Sequence, residues 1–164
     1  NSQTAYTALS VLKKMGWKLS KEIIQAGLKK IIKNTGLSGR WQILNHTPKV
    51  ICDTAHNREG LSLVMKQLNT VSYDQLHIVL GVVDDKNLDT ILPLFPKNAI
   101  YYFCKPNVIR GLDVKKLAQQ ASLYSLVGQT YSSVNVAYEK SLTAAAKKDL
   151  IFIGGSTFVV AEVL

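Results

Sequence analysis

The chain has 164 residues, 47% of them hydrophobic, and a formal net charge of +9. That length suits one domain, or one domain with part of another. No apolar run approaches the roughly 20 residues of a membrane span, and Asn1-Ser2-Gln3-Thr4 lacks the basic start and apolar stretch of a secretory signal, which argues against a membrane protein and for a cytoplasmic one.

The first residue is not Met, and the chain is expected to be a piece of something longer. In chain order, Thr4 to Met15 reads as a helix with Ala5, Ala8, Leu9 and Leu12 inward, ended near Gly16. Ser20 caps a second helix whose stripe runs through Ile23, Ile24, Leu28, Ile31 and Ile32. Asn34-Thr35-Gly36-Leu37-Ser38-Gly39 is a turn-rich hinge and is taken as a domain boundary, giving residues 1–38 and 39–164. The charge changes there as well. Residues 1–40 carry eight Lys and Arg against Glu22 alone, a balance of +7, which leaves +2 for the other 124 residues. These lysines flank apolar positions at helical spacing with no interleaved aromatic residues, so they read as a solvated helix face or one that meets an acidic partner domain. A nucleic-acid surface is the alternative.

Beyond the hinge, strands are expected at Trp41–Leu44, Val50–Asp53, Leu76–Gly81, Ala99–Phe103 and Leu150–Ile153, with a weaker one near Leu126–Thr130. Helices fill Glu59–Asn69, Asn87–Leu92, Val114–Leu123, Val134–Lys147 and Thr157–Val163. Near-continuous apolar strands alternating with helices predict an α/β fold: a three-layer, mostly parallel, Rossmann-like sheet with helices on both faces, preceded by a two-helix segment. Cys52 and Cys104 each fall in or at the end of an apolar run, and neither has a second cysteine at metal-ligand spacing. They read as buried free thiols in a reducing cytosol, not as a zinc site.

Polar residues gather at the predicted carboxyl ends of these strands, where open α/β sheets place their ligands. The richest cluster is Asp53-Thr54-Ala55-His56-Asn57, which offers a charge, a titratable donor and acceptor, and an N-cap. Ordinary helix capping is the competing reading for that stretch taken alone. The other clusters are Gly81-Val82-Val83-Asp84-Asp85-Lys86, then Lys105, Pro106, Asn107 and Arg110, then Gly154-Gly155-Ser156-Thr157. Four such clusters on one rim outline a crevice suited to a phosphorylated or carboxylated ligand.

Ser38-Gly39-Arg40-Trp41, Asp53-x-Ala55-His56-Asn57, Gly81-x-x-x-Asp85-Lys86 and Gly155-Ser156, in that order, resemble the C-terminal half of folylpolyglutamate synthase/dihydrofolate synthase, of the ATP-dependent Mur ligase superfamily. The resemblance covers essentially the whole chain; residues 1–38 look like the helices that end the family's larger ATPase domain. It implies a ligase in which ATP phosphorylates a folate or pteroate carboxylate and the amine of L-glutamate attacks the acyl phosphate. The partners implied are ATP, L-glutamate, folate or dihydropteroate, and the N-terminal ATPase domain of the same polypeptide, with no nucleic acid and no membrane. It further implies that Arg40 reaches the ATP phosphates, that Asp53 holds the nucleotide near its ribose, and that His56 lies between nucleotide and incoming glutamate. Asn57 and Lys86 fall on the nucleotide side and Ser156 on the glutamate side.

The departures are as informative. There is no Gly-x-x-x-x-Gly-Lys-Ser/Thr loop, so the phosphate-cradling loop and the Mg²⁺ ligands of the family are expected outside this chain, and the chain alone is expected to be inactive. Ser38 and Thr54 stand where the family usually has Pro and Gly. A stand-alone nucleotide- or carboxylate-binding module with the same sheet stays open; a hydrolase built on His56 and Asp53 is disfavoured, because no nucleophile sits at a suitable turn unless Ser156 fills that role.

Overall fold

A computed structural model describes residues 2–164. The chain divides into two compact units between Ser38 and Gly39. The first unit is helical: α1 (Ser2–Lys14), α2 (Lys21–Lys29) and α3 (Ile31–Thr35). Gly16 leaves α1 at φ 96°, and Ser20 caps α2 by accepting the Ile23 N–H at 3.3 Å. The second expected helix is interrupted. Lys30 adopts φ −107°, ψ 21°, and its N–H is shared between the Ala26 and Gly27 carbonyls, a tightened last turn that ends α2 before α3 starts.

The inward stripes drawn for this unit are corrected. Ala5 and Ala8 are exposed, Leu9 and Leu12 half-buried, and Ile23, Ile31 and Ile32 are exposed. Among the described residues only Ile24 of this unit is buried. So short a helical segment has too little chain to cover its own apolar faces.

The second unit is a six-stranded sheet: β1 (Gln42–His46), β2 (Lys49–Cys52), β3 (Leu76–Leu80), β4 (Ile100–Phe103), β5 (Gly128–Thr130) and β6 (Leu150–Gly154). The spatial order is β1-β2-β6-β3-β4-β5, with only the β1–β2 pair antiparallel. Its helices are α4 (Arg58–Leu68), α5 (Leu88–Ile91, continued by a 3₁₀ turn at Leu92–Leu94), α6 (Val114–Ser122), α7 (Val134–Ala144) and α8 (Thr157–Ala161). All the expected strands form, with ends shifted by at most two residues. They were legible because β3 and β6 are buried at every position, as strands covered on both faces must be.

Alternation along each strand divides the core in two. Ile51, Ile78, Leu80, Tyr101, Phe103 and Phe152 pack with Leu61, Val64, Met65 and Leu68 of α4 and with Leu117 and Ala121 of α6. Val50, Cys52, Val79, Ile151 and Ile153 pack with Val134 and Ala137 of α7 and Val159 and Val160 of α8. Chain leaving β2 and β3 therefore turns onto one face, and chain leaving β6 onto the other. β6 lies between β2 and β3, so this is a topological switch point, and the crevice opens at the carboxyl ends of these strands.

At the opposite end of the sheet, His77 is buried between Tyr102 and Asp149. Its Nδ1 lies 3.0 Å from the Tyr102 hydroxyl and its Nε2 lies 3.2 Å from Asp149 Oδ2. Asp149 also accepts the Ala146 N–H at 2.7 Å and the Gln75 N–H at 3.1 Å. Burial pushes the Asp149 carboxyl up, but these donors outweigh it and hold it below its ordinary value. A carboxyl depressed in the folded state stabilises above its unfolded pKa and loses that contribution as pH falls through the folded value. Urea midpoints are therefore expected to drop below about pH 4, and Asp149→Asn to flatten that acid limb while lowering the midpoint at pH 7. An acid limb unchanged in Asp149→Asn would assign the loss to other carboxylates.

Candidate functional site

The Asp53–Asn57 turn is held before any ligand arrives. Asp53 is buried; its Oδ2 accepts the Trp41 N–H at 2.7 Å and its Oδ1 accepts the Ala55 N–H at 2.8 Å. The Thr54 N–H donates to the Gly39 carbonyl at 2.8 Å, and the Gly39 N–H donates to Gln42 Oε1 at 2.8 Å. Gly39 has φ 73°, and a Cβ there would lie 2.7 Å from the Thr54 methyl and 3.0 Å from Val160, so the close approach requires glycine. Gly39-Arg40-Trp41 and Asp53-Thr54-Ala55 thus form one clasped unit.

His56 is half-buried, and its Nδ1 lies 3.0 Å from the Thr54 carbonyl oxygen. A carbonyl can only accept, so Nδ1 carries the proton, and in the neutral ring Nε2 is left with a free lone pair. His56 lines a niche of about 80 Å³ with Val83, Lys86, Arg110, Ser156, Thr157 and Phe158. Ser156 is buried and caps α8, accepting the Phe158 N–H at 3.2 Å, which leaves its own O–H free to donate. Gly155 before it has φ 95°, and a Cβ there would meet the Gly81 carbonyl at 2.6 Å, so glycine lets the ends of β6 and β3 approach.

The positive side of the niche is organised by Asp85, whose two oxygens lie 3.5 Å from Lys86 Nζ and 3.0 Å from an Arg110 NH group. Arg110 Cζ also sits 5.1 Å from the centroid of the Phe158 ring, within cation–π range. Two loops are sewn together here: Asp84 N–H donates to the Arg110 carbonyl and Leu112 N–H to the Val82 carbonyl.

A Mur ligase C-terminal family model, described as the Mur ligase glutamate ligase domain, matches residues 39–157. The chain belongs to this family. It is 26% identical over 162 residues to the Escherichia coli dihydrofolate synthase/folylpolyglutamate synthase, covering 98% of this chain and 36% of the relative. The enzyme of the same name from Buchnera aphidicola of Acyrthosiphon pisum is 28% identical over 163 residues, covering 98% of this chain and 38% of that one. The chain therefore spans little more than a third of the length of these two relatives. Among solved structures, E. coli FolC in complex with DHPP and ADP superposes with a TM-score of 0.82 at 26% identity, over 96% of this chain and 36% of that one. A bifunctional folylpolyglutamate synthase/dihydrofolate synthase with Mn, AMPPNP and L-glutamate bound gives a TM-score of 0.79 at 26% identity, over 96% and 37%.

Within this glutamate ligase domain the expected site residues fall into two groups. His56, Lys86 and Ser156 share the niche. Arg40 is exposed on the Gly39–Trp41 link, Asp53 is engaged by two backbone donors, and the Asn57 Oδ1 accepts the Gly60 N–H at 2.8 Å as the cap of α4. None of these three lines the niche. Arg110 does, although nothing in its sequence context marks it beyond a place on the rim; only the pairing of β3 with β4 brings it beside Lys86. Both cysteines are buried free thiols, an environment that disfavours the thiolate. Burial, then the neighbouring Asp53 charge, pushes the Cys52 thiol up to about 11, and burial, then Glu162, pushes Cys104 up to about 12. Among the described residues no three His, Cys, Asp or Glu side chains come together as a metal-holding set.

Proposed function

We propose that the polypeptide carrying this chain is an ATP-dependent ligase that adds L-glutamate to a folate or dihydropteroate carboxylate, and that this chain supplies part of its ATP and glutamate sites. The observation that carries the reading is the niche that His56 lines together with Lys86, Arg110 and Ser156, with His56 Nδ1 engaged by the Thr54 carbonyl. A neutral imidazole whose tautomer is fixed by Thr54 is equipped to accept a proton from an attacking amine. The Ser156 O–H and the cations of Lys86 and Arg110 suit the carboxylates of the incoming amino acid. The bound ligands named for the related structures, ADP or AMPPNP with L-glutamate, support the same ligand set.

On this reading ATP supplies activation of the acceptor carboxylate as an acyl phosphate. Arg40, which is exposed on the clasped link, reaches its phosphates in this reading. Asp53 holds that link and has lone pairs left for a ribose hydroxyl, and Asn57 keeps an amide donor beyond its capping bond. The divalent ion, Mg²⁺ in this reading, takes its ligands from outside this chain. Residues 1–38 belong to the end of the ATPase domain, whose remainder would cover the exposed Val11, Met15, Ile23 and Ile32. The polypeptide works in the cytoplasm, with neither nucleic acid nor membrane as partner; no helix among the described residues is long and apolar enough to cross a bilayer.

The test compares residues 1–164 with a longer polypeptide that adds the phosphate-loop region, assayed for ATP-dependent incorporation of labelled glutamate into pteroate and folate acceptors. The short chain is expected to be inactive and the long one active. Turnover by residues 1–164 alone would sink the divided site, and an inert long form would sink the substrate assignment.

A further inference from the structure

Asp85 touches both cations of the niche without lining it. Lys86 and Arg110 are part of the niche wall and Asp85 is not, yet its Oδ2 accepts from Arg110 at 3.0 Å and its Oδ1 lies 3.5 Å from Lys86 Nζ. The two cations depend on it differently. Lys86 is the next residue in the chain, and its own N–H donates to the Val83 carbonyl at 3.4 Å, so the turn itself places it.

Arg110 arrives from a separate loop, and there the backbone is fixed. The Asp84 N–H donates to the Arg110 carbonyl at 2.9 Å, the Leu112 N–H donates to the Val82 carbonyl at 3.0 Å, and Val83 bridges Gly111. What this leaves free is a long side chain that is 53% exposed. Two contacts hold its guanidinium: the Asp85 carboxylate at one NH group, and the Phe158 ring, whose centroid lies 5.1 Å from Cζ.

A pair this exposed adds little to folding stability, so its consequence is the direction in which the guanidinium points. An arginine held in advance loses less rotamer freedom when a carboxylate docks on it. Asp85 also offsets one of the two positive charges, which opposes the docking of an anion. Water at this exposure damps the charge effect and leaves the rotamer effect untouched.

We infer that Asp85 is a positioning residue of the niche, one that holds the Arg110 guanidinium against the Phe158 ring and aims it at a carboxylate of the incoming amino acid. This rests on the ligase reading above.

In the longer polypeptide Asp85→Ala is expected to raise KM for glutamate about three- to tenfold, the range for immobilising one rotamer-rich side chain. The kcat and the KM for ATP should stay within about twofold of the parent, and Asp85→Glu, which can still reach Arg110, should recover most of the loss. An unchanged KM for glutamate overturns the inference, and a lowered one makes Asp85 a repelling charge and overturns it too. Equal losses toward glutamate and ATP assign a merely structural role, with the same consequence. A second measurement needs no turnover. In residues 1–164 the Nε–H bond of Arg110 is expected to be ordered by ¹⁵N relaxation, with its order parameter falling below about 0.6 in Asp85→Ala. Order retained in Asp85→Ala overturns the inference whatever the kinetics. A longer polypeptide that ligates no glutamate sinks the ligase reading instead, and the relaxation result then decides alone whether Asp85 aims Arg110.

Discussion

Replacing Asp53 with Ala is expected to remove about 2–4 kcal/mol of folding stability, because one buried and one part-buried N–H donor lose their acceptor and an unsatisfied buried donor costs about 1–3 kcal/mol. The donors are those of Trp41 and Ala55, at 2.7 and 2.8 Å. They lie on opposite halves of the clasp, so the loss also frees Gly39-Arg40-Trp41 from the turn. Asp53→Asn keeps one acceptor and is expected to cost about half as much. Urea unfolding followed by circular dichroism measures both, and amide exchange at Trp41 reports the clasp directly. A midpoint unchanged in Asp53→Ala would mean that the carboxylate is not what ties the two segments, and its place would have to be explained by a ligand alone.

The second large effect concerns chemistry. In the longer polypeptide His56→Ala is expected to lower kcat/KM for glutamate addition by about 10²- to 10³-fold, within the range for a positioned acid–base group, with stability changed by less than about 1 kcal/mol. The small stability term follows from position: His56 is half-buried and makes one bond, to the Thr54 carbonyl. Steady-state kinetics in glutamate and in ATP separate the possibilities. A loss confined to KM for glutamate would make His56 a binding group, and unchanged kinetics would remove it from the site.

Much of this was legible in the chain itself. Val50–Cys52, Leu76–Leu80 and Leu150–Ile153 read as central strands because sequence-adjacent apolar residues have to fill both faces of a covered sheet. The four polar clusters read as one rim because loops after the carboxyl ends of parallel strands lie along the same edge of the sheet whatever the strand order. The helical first unit is less legible. Its stripes through Ala5, Ala8, Ile23 and Ile32 follow from periodicity, and periodicity marks which face is apolar but not whether anything covers it.

The sequence by itself determined the class of fold, the rim and the residue types on it, because these depend on local patterning and on the short distance from a strand end to its own loop. Only the tertiary structure decided which of those residues meet. It spent both oxygens of Asp53 on backbone donors, turned His56 so that Nδ1 faces Thr54, and set Arg110 beside Lys86 through a salt-bridged Asp85. The reason is the order β2-β6-β3-β4: contacts across a crevice are set by which strands lie side by side, and the crossovers that arrange them leave no mark at the positions they bring together.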